Sequence, residues 1–295
     1  MSERVAVVDV GSNSVRLLVS DVIDGRPTFV HTDKVMARIG QSLGHEGRID
    51  DKKIGEVAGI VARFVTDARR FGAREIRAIA TSATREASNG DELAEHVLAA
   101  SGVALEVIDG DEEARLTFVG TLASLDEPQA GEIGVVDVGG GSTEIVVGSA
   151  AEGVGWSRSF RLGSGRLSDR FIEHDPPLES ELARIRDAID ATLPAAADVP
   201  TPEHGLAVAG SATNLRRMVG PLLDEETLSR ALRLLSGSPS EQIARQFQLE
   251  PTRARLLPAG ALIIQASMER LGTPLWVGRG GIRQGVALDI VSALR

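Results

Sequence analysis

The sequence predicts an α/β protein built from two copies of one unit, each with its own mixed β-sheet. Three observations carry this expectation. The phrase VVDVGSNSVRLLV at residues 7–19 returns as VVDVGGGSTEIVV at residues 135–147, identical at seven of thirteen positions. Each copy opens the same succession, β-β-β-α-β-α-β. A polar stretch, SLDEPQAGE at 124–132, reads as a linker between the two. Two units are a duplication, not a solenoid.

In the first copy, RVAVVDVG (4–11), SVRLLVSDVI (14–23) and PTFVHTDKVMA (27–37) read as successive strands, with turns at GSN and DGRP. KKIGEVAGIVARFVTDARRFG (52–72) has apolar residues at helical spacing and stops at Gly72. REIRAIATSA (74–83) is predicted as a strand, GDELAEHVLAASG (90–102) as a helix closed by Gly102, and VALEVID (103–109) as a strand. GDEEARLTFVGTLASL (110–125) follows as a helix.

The pattern then restarts. EIGVVDVGG (132–140), STEIVVGS (142–149) and GWSRSFRLG (155–163) are again three strands. Helices are expected at 165–174 and 179–193, a Pro-rich surface loop at 194–205 and a strand at GLAVAG (205–210). Further helices are expected around 211–219, 239–247 and 252–271, then a last strand, LWVGRGG (275–281), and a last helix, RQGVALDIVSAL (283–294). Three antiparallel strands followed by α/β units make a mixed sheet of five strands in each copy.

Composition narrows the function classes. Hydrophobic residues are 42% and charged residues 25%, ordinary for a globular protein, but aromatics are only 3%, so the core must be Val, Leu, Ile and Ala. Cysteine is absent, which excludes disulfides, thiolate metal sites and thiol catalysis and suits a reducing compartment. The N-terminal apolar run is too short for a signal peptide, and LLPAGALII is about half a bilayer span, so a cytoplasmic protein with no membrane partner is expected. A net charge of −10 argues against a nucleic-acid partner but leaves room for an anionic small ligand. His31, His45, His96, His174 and His204 lack ligand spacing and are expected at the surface.

No lysine follows a glycine-rich loop, and no G-x-G-x-x-G follows a strand, so neither a P-loop nor a dinucleotide fingerprint is present. The duplicated phrase offers something else. A strand ending in Asp, then Gly and small polar residues, then a strand is a tight hairpin whose backbone N–H groups and hydroxyls form a concave anion site. Asp9 and Asp137 stand where a divalent cation beside a phosphate would need oxygen ligands. An ordinary hairpin with turn-forming Gly and Asp would look the same in one copy. The second copy and a third small-residue loop, AGSATN at 209–214, favour the anion reading.

DVGSNSVRLLV, TSATREA, DGDEEARL, VVDVGGGSTEIVV, AGSATNL and GGIRQGVAL follow one another in the order of the exopolyphosphatase/guanosine pentaphosphate phosphohydrolase family. The sequence resembles that family over essentially its whole length. The resemblance implies two duplicated ribonuclease-H-like (actin-like ATPase) domains facing an interdomain cleft, with domains at 1–119, to which 282–295 packs back, and 120–281. Glu113 matches the residue that activates water, and Arg85 an arginine that contacts phosphate. Asp137, Glu144 and Asp9 match the metal side, for Mg²⁺ or another divalent cation. Ser12, Asn13 and Ser14 match one phosphate loop, Gly139, Gly140, Gly141 and Ser142 the other, and Gly210, Ser211 and Thr213 a third, more distal loop. Long members carry a further C-terminal helical region; this sequence corresponds to the two-domain catalytic unit. A homodimer is expected only from the resemblance.

The expected function is release of terminal orthophosphate from linear inorganic polyphosphate by metal-assisted water attack. The nearest alternative is 5′-phosphohydrolysis of guanosine pentaphosphate, which needs the same catalytic residues plus a nucleoside site. No aromatic stands beside a glycine loop to stack a base, which favours polyphosphate. An actin-like kinase would need an acceptor pocket for which the chain is short. A non-hydrolysing sensor would be expected to have lost Glu113, Asp137 or Glu144. Arg16, Arg161, Arg166, Arg216, Arg217, Arg279 and Arg283 are candidates for a positive path. Arg16 and Glu144 hold the same place in the two phrases with opposite charge.

Overall fold

The computed structural model describes residues 3–43 and 47–294; His45 lies outside them. By packing, the chain divides into two units, Met1–Ser124 with Gly280–Arg295, and Leu125–Arg279.

The first unit begins with β1 (Glu3–Val10), β2 (Val15–Ile23) and β3 (Arg26–Val35). Then come α1 (Ile39–Ser42), α2 (Asp51–Arg70), β4 (Glu75–Ala80), α3 (Ser82–Glu86), α4 (Gly90–Ser101), β5 (Leu105–Val107) and α5 (Gly110–Leu122). The sheet order is β3-β2-β1-β4-β5. β2 runs antiparallel to β1 and β3, while β4 is parallel to β1 and β5 to β4.

The second unit repeats the plan with β6 (Ile133–Val138), β7 (Thr143–Ser149) and β8 (Gly153–Phe160). It continues with α6 (Ser164–Phe171), α7 (Glu179–Thr192), a short 3₁₀ turn (Leu193–Ala196), β9 (His204–Val208), α8 (Ala209–Val219), β10 (Leu222–Leu223) and α9 (Glu225–Gly237). Last come α10 (Ser240–Phe247), α11 (Pro251–Ala254), α12 (Leu257–Leu271) and β11 (Leu275–Val277), before α13 (Ile282–Ala293) returns to the first unit. The second sheet runs β10-β11-β9-β6-β7-β8. Reading β8-β7-β6-β9-β11 against β3-β2-β1-β4-β5 gives the same order and the same directions.

Four local differences from the sequence expectation have physical reasons. The strand expected over 74–83 stops at Ala80, because Arg85 N bonds to Thr81 O at 3.0 Å and starts α3. The second sheet has a sixth strand, β10, whose two residues are too few to show a period of two. The helix expected over 252–271 is two, because Pro258 has no N–H to continue the ladder and sits in the first turn of a new helix. Helix α9 was not anticipated. Its signals are present: Asp224 and Thr227 form a reciprocal cap, and Leu228, Ala231 and Leu235 line one buried face.

In the first unit, period two along β1 sorts the core into two layers. Ala6, Val8 and Val10 pack among residues of α2 and α4, including Val57, Val61, Phe64, Leu93 and Val97. Val5 and Val7 pack with Leu116 of α5 and Val286, Ala287 and Val291 of α13. Asp9, two residues beyond Val7, is therefore on the α13 side of the sheet.

α5 and α13 approach closely. A Cβ at Gly285 would lie 2.0 Å from Leu116 O, and one at Gly120 would lie 2.1 Å from Gly281 O. An ion network closes the same interface: Arg115 reaches Asp289 at 2.5 Å and Glu112 at 2.7 Å. Among the described residues no helix is long and apolar enough to cross a membrane.

In the second unit, Glu181 is buried in the first turn of α7. Burial alone would raise its pKa, but hydrogen bonds from the His174 ring and from the N–H groups of Leu178, Glu173 and His174 bring it down to about 2.

Two outcomes are expected. Gly285→Ala should destabilise the protein by about 2 kcal/mol, because backbone must move to admit the methyl group; calorimetric unfolding measures it. A carboxylate with a depressed folded pKa contributes stability above its unfolded value, and that stability is lost as pH falls through the folded value. Urea midpoints should therefore drop between about pH 4.5 and pH 2, and Glu181→Gln should remove part of that slope.

Candidate active site

In the first unit, the turn between β1 and β2 closes with Gly11 N on Ser14 O at 3.1 Å. Its two central carbonyls are engaged from outside: Ser12 O accepts from Gly40 N at 2.9 Å and Asn13 O from Arg38 N at 3.0 Å. A trans peptide places C=O and the following N–H on opposite sides, so the N–H groups of Asn13 and Ser14 point away from residues 38–40. Asn13 Nδ2 is buried with no hydrogen-bond partner in the structure. A buried donor left open at a small-residue turn fits an anionic ligand.

α3 joins this turn to the candidate base. Ser82 Oγ lies 2.9 Å from Ser12 Oγ, and both residues are buried. One turn on, Arg85 Nη1 donates to Ile108 O at 2.8 Å and to Glu113 Oε2 at 3.0 Å. Glu113 is 8% exposed and stands in the first turn of α5, where the helix dipole favours a carboxylate. Asp109 caps that helix by accepting from Glu112 N at 2.8 Å. A carboxylate has about four acceptor positions, so the bond from Arg85 is compatible with holding a water as well. The sequence-predicted Ser12, Arg85 and Glu113 are thus brought into one connected group through Ser82, which sequence reasoning missed.

The charge at the β1/β2 pair is balanced differently from that at β6/β7. Asp9 and Arg16 face each other across the strands, and Arg16 Nε donates to Ser14 Oγ at 3.1 Å. Burial raises the pKa of Asp9, while Arg16 and Arg283 oppose the rise. Arg283, from α13, is itself lowered to about 10, mainly by burial and then by Arg16, with Asp9 pulling the other way. In the second unit, Asp137 and Glu144 are the facing pair, two carboxylates where the first unit has one of each sign. Glu144 is 2% exposed, and its Oε1 accepts from Ser159 Oγ at 2.7 Å.

The turn between β6 and β7 contains Gly139, Gly140, Gly141 and Ser142, closed by Gly139 N on Ser142 O at 3.0 Å. It lies against the start of α6, where a Cβ at Gly163 would sit 2.2 Å from Gly140 O. The third loop begins α8. Ala209 holds a left-handed φ of 64°, a strained conformation for a residue with a Cβ, directly before Gly210. Ser211 is buried and donates to Val138 O at 3.3 Å, tying this loop to the end of β6. Thr213 is exposed, and its hydroxyl bonds back to Ala209 O at 2.7 Å.

Ser82-Ala83-Thr84 after β4 and Ser211-Ala212-Thr213 after β9 are the same three residues at matching points of the two sheets. That second repeat was the signal available for Ser82. Of the arginines considered for a positive path, Arg217 donates to Gln248 O and the exposed Arg279 pairs with Asp126, both outside the loops. Arg16 and Arg283 act electrostatically on Asp9, and Arg166 contacts the glycine turn.

Oxygen ligands suit a hard divalent cation, and Asp137 with Glu144 supplies a carboxylate pair of that chemistry beside the glycine turn. Among the described residues no group of three or more His, Asp or Glu side chains gathers to hold a metal. A cation there would complete its shell with water and ligand oxygens, as Mg²⁺ ordinarily does.

Comparison with known proteins gives a consistent picture. The model of the Ppx/GppA phosphatase family matches residues 18–294. Exopolyphosphatase 1 of Mycobacterium leprae is 34% identical over 285 residues, covering 91% of this chain and 83% of its own. Exopolyphosphatase 2 of Mycobacterium tuberculosis is 32% identical over 316 residues, covering 97% of this chain and 98% of its own. The crystal structure of a Ppx/GppA family member from Aquifex aeolicus superposes with a TM-score of 0.83 at 27% identity, covering 100% of this chain and 99% of its own.

Because the buried Ser12–Ser82 hydrogen bond ties the turn to α3, Ser12→Ala and Ser82→Ala should each cost about 1 kcal/mol. The double variant should cost little more than either alone, a coupling that denaturant unfolding resolves.

Proposed function

The chain belongs to the Ppx/GppA phosphatase family, and from that membership we propose that it is an exopolyphosphatase, releasing terminal orthophosphate from linear inorganic polyphosphate. The observation that carries the reading is the buried Glu113, held by Arg85 at 3.0 Å and linked through α3 to the Ser12 turn. A carboxylate so fixed can orient a water and accept its proton.

In the proposed reaction, the Gly139–Ser142 turn and the Ser12–Ser14 turn hold phosphate oxygens through backbone N–H groups and hydroxyls. Glu113 takes a proton from water as its oxygen attacks the terminal phosphorus. The P–O bond to the chain breaks, and the electron pair leaves with the shortened polyphosphate. Arg85, in reach of Glu113, stabilises charge on the transferring group. Asp137 and Glu144 are the residues that would hold Mg²⁺ or another divalent cation, with Asp9 assigned to the same function by family resemblance. When bound, such an ion neutralises phosphate charge and polarises the bond to be broken. The sequence contains no cysteine, which suits the reducing cytoplasm proposed as its compartment.

Glu113→Gln should leave the fold intact, by circular dichroism and melting temperature, and lower kcat about 10²- to 10⁴-fold. A fully active variant would remove Glu113 from the mechanism. Glu144→Gln should raise the Mg²⁺ concentration giving half-maximal rate. Phosphate release should be assayed in parallel on short and long polyphosphate, guanosine pentaphosphate and ATP. Turnover of guanosine pentaphosphate far above polyphosphate would reassign the substrate.

A further inference from the structure

The glycine turn of the second unit is closed by one internal bond, Gly139 N to Ser142 O, and is otherwise held from outside. Its three consecutive carbonyls are all engaged by the first residues of α6. Gly139 O accepts from Ser164 N and from Ser164 Oγ, each at 3.0 Å. Gly140 O accepts from Arg166 N at 3.0 Å, and Gly141 O from Arg166 Nε at 2.9 Å. Gly163 allows the approach, because a Cβ there would fall 2.2 Å from Gly140 O and 2.5 Å from Gly141 C. α6 is anchored independently of the turn, through Leu167 in the hydrophobic core.

Peptide geometry turns this clamp into a statement about donors. With the carbonyls of residues 139, 140 and 141 fixed toward α6, the N–H groups of Gly140, Gly141 and Ser142 are fixed in the opposite sense. Successive N–H groups aimed to one side form a site for a tetrahedral oxyanion. The first N–H groups of α6, which lack partners within the helix, polarise the same carbonyls and strengthen the donors one peptide away.

We propose that Ser164 and Arg166 are positioning residues for the phosphate loop: they orient its backbone donors through the loop carbonyls, and Gly163 is small so that they can. This rests on the phosphate-hydrolase reading above. It adds that loop geometry is set by α6, so that residues outside the glycine motif control phosphate affinity and rate together.

The test measures orthophosphate binding by calorimetry, with polyphosphate kcat and KM, in the full chain. Arg166→Met keeps side-chain bulk and removes the Nε donor. It should weaken orthophosphate binding and lower kcat, each about 10-fold or more, with the melting temperature nearly unchanged. Arg166→Lys, which retains a donor within reach of Gly141 O, should recover most of both. Gly163→Ala leaves Arg166 in place but pushes the turn, and should reproduce the loss. Should Arg166→Met fail to fold, Ser164→Ala, which removes one of two donors to Gly139 O, should give a smaller loss in the same two readouts.

Unchanged binding and rate in Arg166→Met, or in Ser164→Ala if it is the variant that folds, would overturn the proposal. So would a Gly163→Ala variant with wild-type binding beside a defective Arg166→Met, because Arg166 would then act on phosphate directly. A wild-type protein that binds no orthophosphate and releases none from polyphosphate would instead overturn the phosphate-hydrolase reading beneath it.

Discussion

At the end of the buried central strand of each unit, the turn's carbonyls are handed to a neighbouring segment, which satisfies them as acceptors. Residues 38–40 take the carbonyls of Ser12 and Asn13; Ser164 and Arg166 take those of Gly139, Gly140 and Gly141. Because a peptide is planar and trans, satisfying one side orients the other. The N–H donors of both turns are therefore aimed by contacts made behind them. Every chemical role assigned to the hairpins depends on this orientation, since a flexible glycine run would otherwise lose its donors to conformational entropy.

Duplication explains what the two units share, and the facing pair beside each turn explains how they differ. Asp9 opposite Arg16 is close to self-neutralising, with Arg283 adding a further positive charge from α13. Asp137 opposite Glu144 is a pair of like charges on adjacent strands, an arrangement that is unfavourable by itself and suits a bound cation. One difference at a matching position, Arg16 against Glu144, thus separates a pair of opposite charges from a pair of carboxylates. The common sheet order places both pairs at the end of a central strand, where the neighbouring parallel strand brings in a Ser-Ala-Thr helix start.

The last helix has a structural part in the first unit that its distance in sequence hides. Gly120 and Gly285 let α5 and α13 touch backbone to backbone, and Arg115 bridges Glu112 and Asp289 across them. The helix that carries Glu113 is therefore braced by the helix that carries Arg283 toward Asp9. Exposed ion pairs contribute little singly, so the glycine contact and the apolar layer of Val286, Ala287 and Val291 supply most of the hold.

The repeated phrase, the succession of strands and helices and the choice of Glu113, Asp137 and Glu144 as candidates were all legible in the sequence, because they depend on local period, on turn chemistry and on motif resemblance. The sequence alone determined that the protein is a duplicated α/β chain with a small-residue turn after the first strand of each copy. Tertiary structure decided which side chains those turns answer to: Ser82 against Ser12, Arg85 against Glu113, Ser159 against Glu144, and Arg166 behind Gly141. These pairs are set by where one strand or helix ends relative to another, a matter of packing distance that no spacing along the chain encodes. The same reason hid the sixth strand of the second sheet. Two residues carry no period, and only the neighbour they pair with makes them a strand.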